Sequence, residues 1–223
     1  QGVEVVVFSV AAGGRGIDYR GLYVGGLMRL MGEFLRRETP LRRVLFVSST
    51  GVYGQRDGRW VDEGSLAVPH LATGKAMLEA EAVLHDLPYA SVAIRFSGIY
   101  GPGRIRLISN LLNGSAQCPR DPPRYLNQIH RDDCVGVIEH MMHAEVLDDV
   151  VLASDNEPMP RWDVLSWLAE RLDVEGPREN PDGNYPGFER GNKRCRNDRL
   201  RASGYRLLYP TFREGYEMLL DGL

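Results

Sequence analysis

Two apolar runs constrain this chain more than any other feature. Glu4-Val5-Val6-Val7-Phe8-Ser9-Val10 and Arg43-Val44-Leu45-Phe46-Val47 hold successive apolar, largely β-branched side chains without polar alternation. That is the pattern of strands covered on both faces, as in a parallel sheet with helices on each side. Between them, Leu22, Tyr23, Leu27, Leu30, Met31 and Phe34 recur near helical spacing, predicting a helix from about Tyr19 to Arg37 that stops before Pro40. Strand, helix and strand in this order predict a layered α/β domain.

The rest of the chain continues the pattern. Tyr89 to Phe96 reads as a further strand, Val150-Val151-Leu152-Ala153 as a last core strand, and Pro160 to Leu172 as an amphipathic helix. The Gly/Pro/Asn/Glu-rich stretch from Asp173 to Gly191 reads as a long loop, and two short helices are expected around Tyr209-Pro210. Asp132 or Asp133 is expected to cap the helix that runs to His143.

Composition mainly excludes. At 223 residues with 43% hydrophobic and 26% charged residues, the chain suits one full α/β core, or one core with a small appended lobe. A net charge of -3 gives no reason to expect nucleic acid as a partner, and no apolar run reaches the ~18 residues of a membrane span. A cytoplasmic protein is the expectation by default. Cys118, Cys134 and Cys195 are too widely spaced for a paired-cysteine zinc site, and His140 and His143 have no third ligand type near them, so no metal is expected. The basic run Lys193-Arg194-Cys195-Arg196 reads as a solvated face, with phosphate binding as the alternative.

Chemistry is suggested where the second strand ends. Ser48-Ser49-Thr50-Gly51-Val52-Tyr53-Gly54 follows Val47 directly, and open α/β sheets place ligands at the carboxyl ends of their strands. All three hydroxyls are expected to face a crevice there. Pro69 to Glu79 then forms a helix bearing Lys75, with Leu71 four residues before it. Farther on, Ser97-Gly98-Ile99-Tyr100-Gly101-Pro102-Gly103 closes the next strand, its glycines allowing backbone close to a ligand and Pro102 fixing the exit direction.

These segments, in this order, resemble the extended short-chain dehydrogenase/reductase family of NAD-dependent epimerases and dehydratases over most of the chain. The resemblance implies a Rossmann-type doubly wound parallel sheet with a small C-terminal substrate lobe. It divides the chain into a core over 1-103, an excursion to the substrate lobe and return helix over 104-148, a last core strand over 149-155, and the C-terminal lobe over 156-223. It makes Glu4 to Val10 the fourth strand of the family's sheet, so that three strands and a Gly-rich turn, roughly 60 residues, are expected upstream of Gln1. Gly13-Gly14-Arg15-Gly16 is a poor phosphate loop by comparison, because Tyr19 stands where a third Gly or Ala belongs.

The resemblance also implies roles. Ser49 would hold a substrate oxygen and Lys75 the nicotinamide ribose, while Ala11, Ala12, Ser97 and Ile99 would wall an NAD or NADP cofactor. The substrate would be a sugar nucleotide or related hydroxylated small molecule, and a homodimer stays open. The family's acid/base Tyr of Tyr-x-x-x-Lys is Leu71 here, and Leu126 occupies the position of a diphosphate-binding Arg, with Arg124 nearby. Two functions follow: an oxidoreductase with a displaced acid/base, for which His70, Thr73, Tyr53 and Tyr100 are the candidates, or a catalytically silent nucleotide-binding or sensor protein.

Overall fold

The structure is a computed structural model that describes residues 2-11, 16-145, 148-180, 182-183, 185 and 191-222. In its first half, β1 (Val5–Phe8) leads through a π-helical turn at Gly21–Gly25 into α1 (Gly26–Arg36). Then come β2 (Arg43–Ser49), a 3-10 turn at Thr50–Val52, β3 (Trp60–Val61), α2 (Ala72–His85), β4 (Ser91–Phe96) and β5 (Gly98–Tyr100). The second half runs α3 (Arg106–Leu112), β6 (Tyr125–Leu126), β7 (Gln128–His130), α4 (Arg131–His143), β8 (Val150–Ala153) and β9 (Met159–Pro160). It ends with α5 (Arg161–Leu172), β10 (Arg194–Cys195), α6 (Asp198–Ala202) and α7 (Phe212–Leu220).

Four strands form one parallel sheet in the order β1-β2-β4-β8. The continuous apolar runs of β2 and β4 have the expected consequence, strands covered on both faces, whereas β1 is fully covered on one face only: Val6 and Phe8 are buried and Val7 is exposed. Val44 and Phe46 of β2 face α1 and α2, packing with Leu27, Met31, Ala80 and Leu84. Leu45 of the same strand, with Val92 and Ile94 of β4, packs on the other face against Val137 and Met141 of α4 and Leu200 of α6. A side chain of this size, fully buried, contributes about 1.5–3 kcal/mol, so the alternation along β2 fixes which helices lie on which face.

A second apolar centre forms the lobe. Tyr100, Ile108, Leu111, Leu165, Leu168, Phe212 and Tyr216 bring α3, α5 and α7 together beyond the carboxyl ends of the sheet. The short pair β5 and β7 connects this lobe to the sheet. The outer strand β8 is protected along its free edge, where Leu152 N donates to Glu63 Oε1 at 2.8 Å.

Three local expectations are corrected. Asp132 and Asp133 do not cap α4; His130 does, its Nδ1 accepting from Asp132 N at 3.2 Å. Asp133 instead sits in the first turn, and its buried carboxylate accepts from Tyr205 OH, Leu208 N and Tyr209 N at 2.9, 2.7 and 3.0 Å. The basic run is not a solvated face either: Lys193 and Cys195 are buried, and Arg194 lies between the rings of Trp60 and Tyr125, 4.9 and 4.7 Å from their centroids. Nor do all three hydroxyls of the Ser/Thr turn share a direction, as the site shows. Tyr23 is a core residue, as its spacing predicts. Among the described residues no helix is long and apolar enough to cross a membrane, and no group of His, Cys, Asp and Glu has the makings of a metal site.

Candidate functional site

The turn after β2 separates its hydroxyls. Ser48 points into the protein and donates to Glu81 Oε1 at 2.5 Å. Glu81 also receives Arg95 Nε and Nη2 at 3.0 and 2.6 Å, while Arg95 Nη1 donates to Tyr53 OH at 2.8 Å. Tyr53 OH in turn donates to Asp62 O at 2.8 Å. This buried network joins β2, β4, α2 and the turn beyond Ser49. Desolvation pushes the Tyr53 phenol up to about 12, despite the opposing Arg95. A phenol so engaged is not a proton acceptor at neutral pH.

Ser49 turns the other way. Its Oγ accepts from Gly51 N at 3.1 Å and opens onto two adjoining cavities. The smaller, about 530 Å³, is walled by Tyr19, Ser49, Gly51, Tyr53, and the run His70 to Thr73. Leu71 is the N-cap residue of α2 and so lies just before the helix. His70 is therefore not displaced around a helix face; it lies in the approach to α2, with Nε2 2.8 Å from Gly54 O. Lys75 is exposed and is not part of this wall. The structure thus brings Ser49 and Leu71 together and leaves Lys75 outside the cavity they line.

The larger cavity, about 940 Å³, runs from Ser49, Thr50 and Gly51 past Ser97, Gly98 and Ile99 into the lobe. Ser97 and Ile99 stand where the sequence places them, at the end of β4 and in β5. Ser97 Oγ is buried and has no partner among the described residues. Ala11 is exposed beyond β1, and Ala12 lies outside the described residues. Tyr100 is buried against Tyr216, ring centroids 4.5 Å apart, and burial pushes its phenol up, so it belongs to the lobe's core rather than to the cavity.

The far wall is cationic. Arg104, Arg106, Arg124, Arg161 and Lys193 line it, with no carboxylate among the described lining residues. Burial lowers the Arg161 pKa, and burial likewise holds the neighbouring Cys118 thiol at about 11. Lys193 is held by its main chain. Asn127 Nδ2 donates to Lys193 O at 2.9 Å, and Asn127 O accepts from Gly98 N at 2.9 Å. On the other side Asn192 N donates to Gln55 O at 2.7 Å, and Gly58 N to Asn192 O at 3.0 Å. Gly191 makes the strap feasible: φ is +86°, and a Cβ there would stand 2.7 Å from Gln55 O.

Ser97 Oγ is a buried hydroxyl without a partner among the described residues, directly after Phe96, which pairs in register with Ser49 of the neighbouring strand. Ser49, Ser97 and Ile99 fit the polar edge of a nicotinamide and its ribose. The same architecture extends over a protein from Methylobacillus flagellatus assigned to the NAD-dependent epimerases/dehydratases: identity is 40%, TM-score 0.79, with 98% of this chain and 76% of that one covered. The chain belongs to this family.

Within the family, the extended short-chain dehydrogenase/reductases, the likeness in fold also takes in a UDP-glucuronic acid 4-epimerase from Bacillus cereus, solved with UDP-glucuronic acid and NAD. There identity is 19% and TM-score 0.79, covering 97% and 74% of the two chains. Among curated proteins, Protein YeeZ of Escherichia coli K12 is 32% identical over 123 residues, 55% of this chain, and the chain spans 42% of the length of that relative. No family model matches the chain.

Sequence reasoning missed Lys193, Arg104, Arg106 and Arg161 as cavity residues. Only the Gly191-Asn192-Lys193 start of the basic run carried a signal, since a glycine and an asparagine before a two-residue strand mark a tightly bound backbone.

Proposed function

We propose that the protein is an NAD(P)-dependent oxidoreductase of the epimerase/dehydratase type, acting on an anionic hydroxylated small molecule, with sugar nucleotides as the leading class. One observation carries this reading: Ser49, Ser97 and Ile99, at the carboxyl ends of neighbouring strands, open on one cavity whose far wall has five basic side chains and, among the described residues, no carboxylate. A cation-lined wall selects a ligand bearing phosphate or carboxylate groups. The Bacillus cereus enzyme of this fold, solved with a nucleotide sugar acid and NAD, supports the same class.

In the reaction, bound NAD(P) would supply the hydride acceptor and donor. Ala11, Ser97 and Ile99 would wall the nicotinamide end, while Lys75, exposed and outside the cavity, takes no part in this reading. Ser49 would donate to the substrate oxygen as its negative charge grows, and the arginines would orient the anionic part of the substrate.

Leu71 favours a second reading, a nucleotide-binding or sensor protein without turnover, since its side chain has no proton to exchange. One experiment separates the two. Purified full-length protein is titrated calorimetrically with NAD and NADP, then mixed with UDP-glucuronic acid or UDP-glucose while nicotinamide absorbance and product formation are followed. Cofactor binding with turnover supports the oxidoreductase, binding without turnover the sensor, and no binding removes both.

A further inference from the structure

Lys193 is in a costly place for an amine. Its residue is 7% exposed, and no hydrogen bond or ion pair holds Nζ among the described residues. Burial lowers its pKa below the ordinary lysine value; Cys195 opposes this and Arg124 reinforces it. Among the described residues, the other titratable groups on its cavity wall are Arg104, Arg106, Arg161, Cys118, Tyr125 and Tyr185, and none is a carboxylate. Such a lysine carries a neutral amine more readily than a surface lysine does.

Its place is fixed as well as unusual. Through Asn127, its main chain is tied to Gly98, next to Ser97, and its cavity is the one Ser49 opens onto. Of the other candidates, Tyr53 is engaged by Arg95 and Asp62, Tyr100 lies in the lobe core, His70 is held by Gly54 O at the smaller cavity, and Thr73 lines that smaller cavity rather than the one Lys193 lines.

We propose that Lys193 is the acid/base residue of this site, exchanging a proton with the substrate hydroxyl whose oxygen Ser49 holds. This rests on the oxidoreductase reading above. In the oxidising direction the substrate O–H bond breaks and its proton passes to neutral Nζ. The C–H bonding pair leaves with its hydrogen as hydride to the oxidised nicotinamide ring, and a C=O bond forms. Reduction runs the same steps backwards, with the ammonium returning the proton.

The test has two parts. In full-length protein labelled with ¹³C-lysine, the Cε resonance of Lys193, assigned through Lys193→Met, is titrated against pH without cofactor. A midpoint below the ordinary lysine value is expected, and an ordinary midpoint overturns the assignment. Turnover with NAD(P) is then measured on UDP-glucuronic acid and UDP-glucose for wild type, Lys193→Met, Lys193→Arg and Lys193→Ala. We expect kcat to fall about 10²- to 10⁴-fold in all three variants, KM to change little, and added methylamine to restore part of the Lys193→Ala rate. Arg keeps the charge but cannot release a proton, so full activity in Lys193→Arg would make residue 193 an anion clamp and overturn the proposal. Variants as fast as wild type overturn it while sparing the oxidoreductase reading, whereas a wild type that binds cofactor but turns over neither substrate overturns both.

Discussion

Ser48 Oγ and Glu81 Oε1 lie 2.5 Å apart, so the residue before Ser49 is anchored in the core while Ser49 faces the cavity. Neighbouring residues of an extended chain point to opposite sides. Here one side is an ion pair with Arg95, whose side chain is 6% exposed against 3% for Glu81, and the other is the cavity. The buried pair therefore holds the site's geometry from below.

Removing one member of that pair leaves a buried charge without a partner. Glu81→Leu is expected to cost about 3–5 kcal/mol, measured by urea denaturation. The double variant Glu81→Leu with Arg95→Met should recover much of the loss, because no uncompensated charge remains. Equal destabilisation of single and double variants would mean that packing, not the charge, dominates.

Ser49→Ala removes the donor proposed for the substrate oxygen. A loss of about 100-fold or more in kcat is expected, with cofactor affinity retained in calorimetry. The same change deletes the acceptor for Gly51 N, costing about 1 kcal/mol of local stability. Ser49→Thr keeps the hydroxyl and should keep most of the activity.

Asp155 gives a pH dependence of stability. It is buried, and desolvation raises its pKa well above the ordinary carboxylate value, with Glu157, Glu214 and Asp133 adding like charge and the Glu157 N–H opposing. The folded state then holds a proton that the unfolded chain has released. Its stabilising contribution is present in full below the unfolded carboxylate pKa and is lost as pH rises through the raised folded value. Asp155→Asn should flatten that fall and raise Tm at neutral and higher pH, by about 2–4 °C for each kcal/mol recovered. A Tm that drops at every pH would count against it.

Leu71 and Lys193 make a reciprocal pair of positions if the proton exchange has moved between them. Leu71→Tyr placed in the Lys193→Met background recreates the family's Tyr-x-x-x-Lys pattern with Lys75. It should recover about tenfold or more of the lost kcat, read from nicotinamide absorbance. No gain would mean that residue 71, in its N-cap position, does not reach the substrate.

What the sequence disclosed follows from how local each signal is. The four core strands and the helices between them were legible because Val44 to Phe46 or Val92 to Ile94 can satisfy their side chains only between two layers. Ser49, Ser97 and Ile99 were legible through their order along the chain. Lys193 was not, because its segment is placed by long-range bonds, from Lys193 O to Asn127 and from Asn192 to Gln55 and Gly58, 66 to 137 residues away. The cap of α4 was misread for a subtler reason: an aspartate is the commoner N-cap, yet Asp133 is taken up by the backbone around Leu208, leaving His130 Nδ1 to serve.

The approach of Gly74 to the turn beneath Ser49 has an evolutionary consequence. A Cβ on Gly74 would meet Gly51 O at 2.6 Å and Pro69 Cβ at 2.7 Å, so α2 and the Ser49 turn touch through main chain rather than through side chains. That contact is made without the side chain of residue 71. A lineage could exchange a phenol for an isobutyl group there, and move its proton chemistry to another wall of the cavity, without rebuilding the frame.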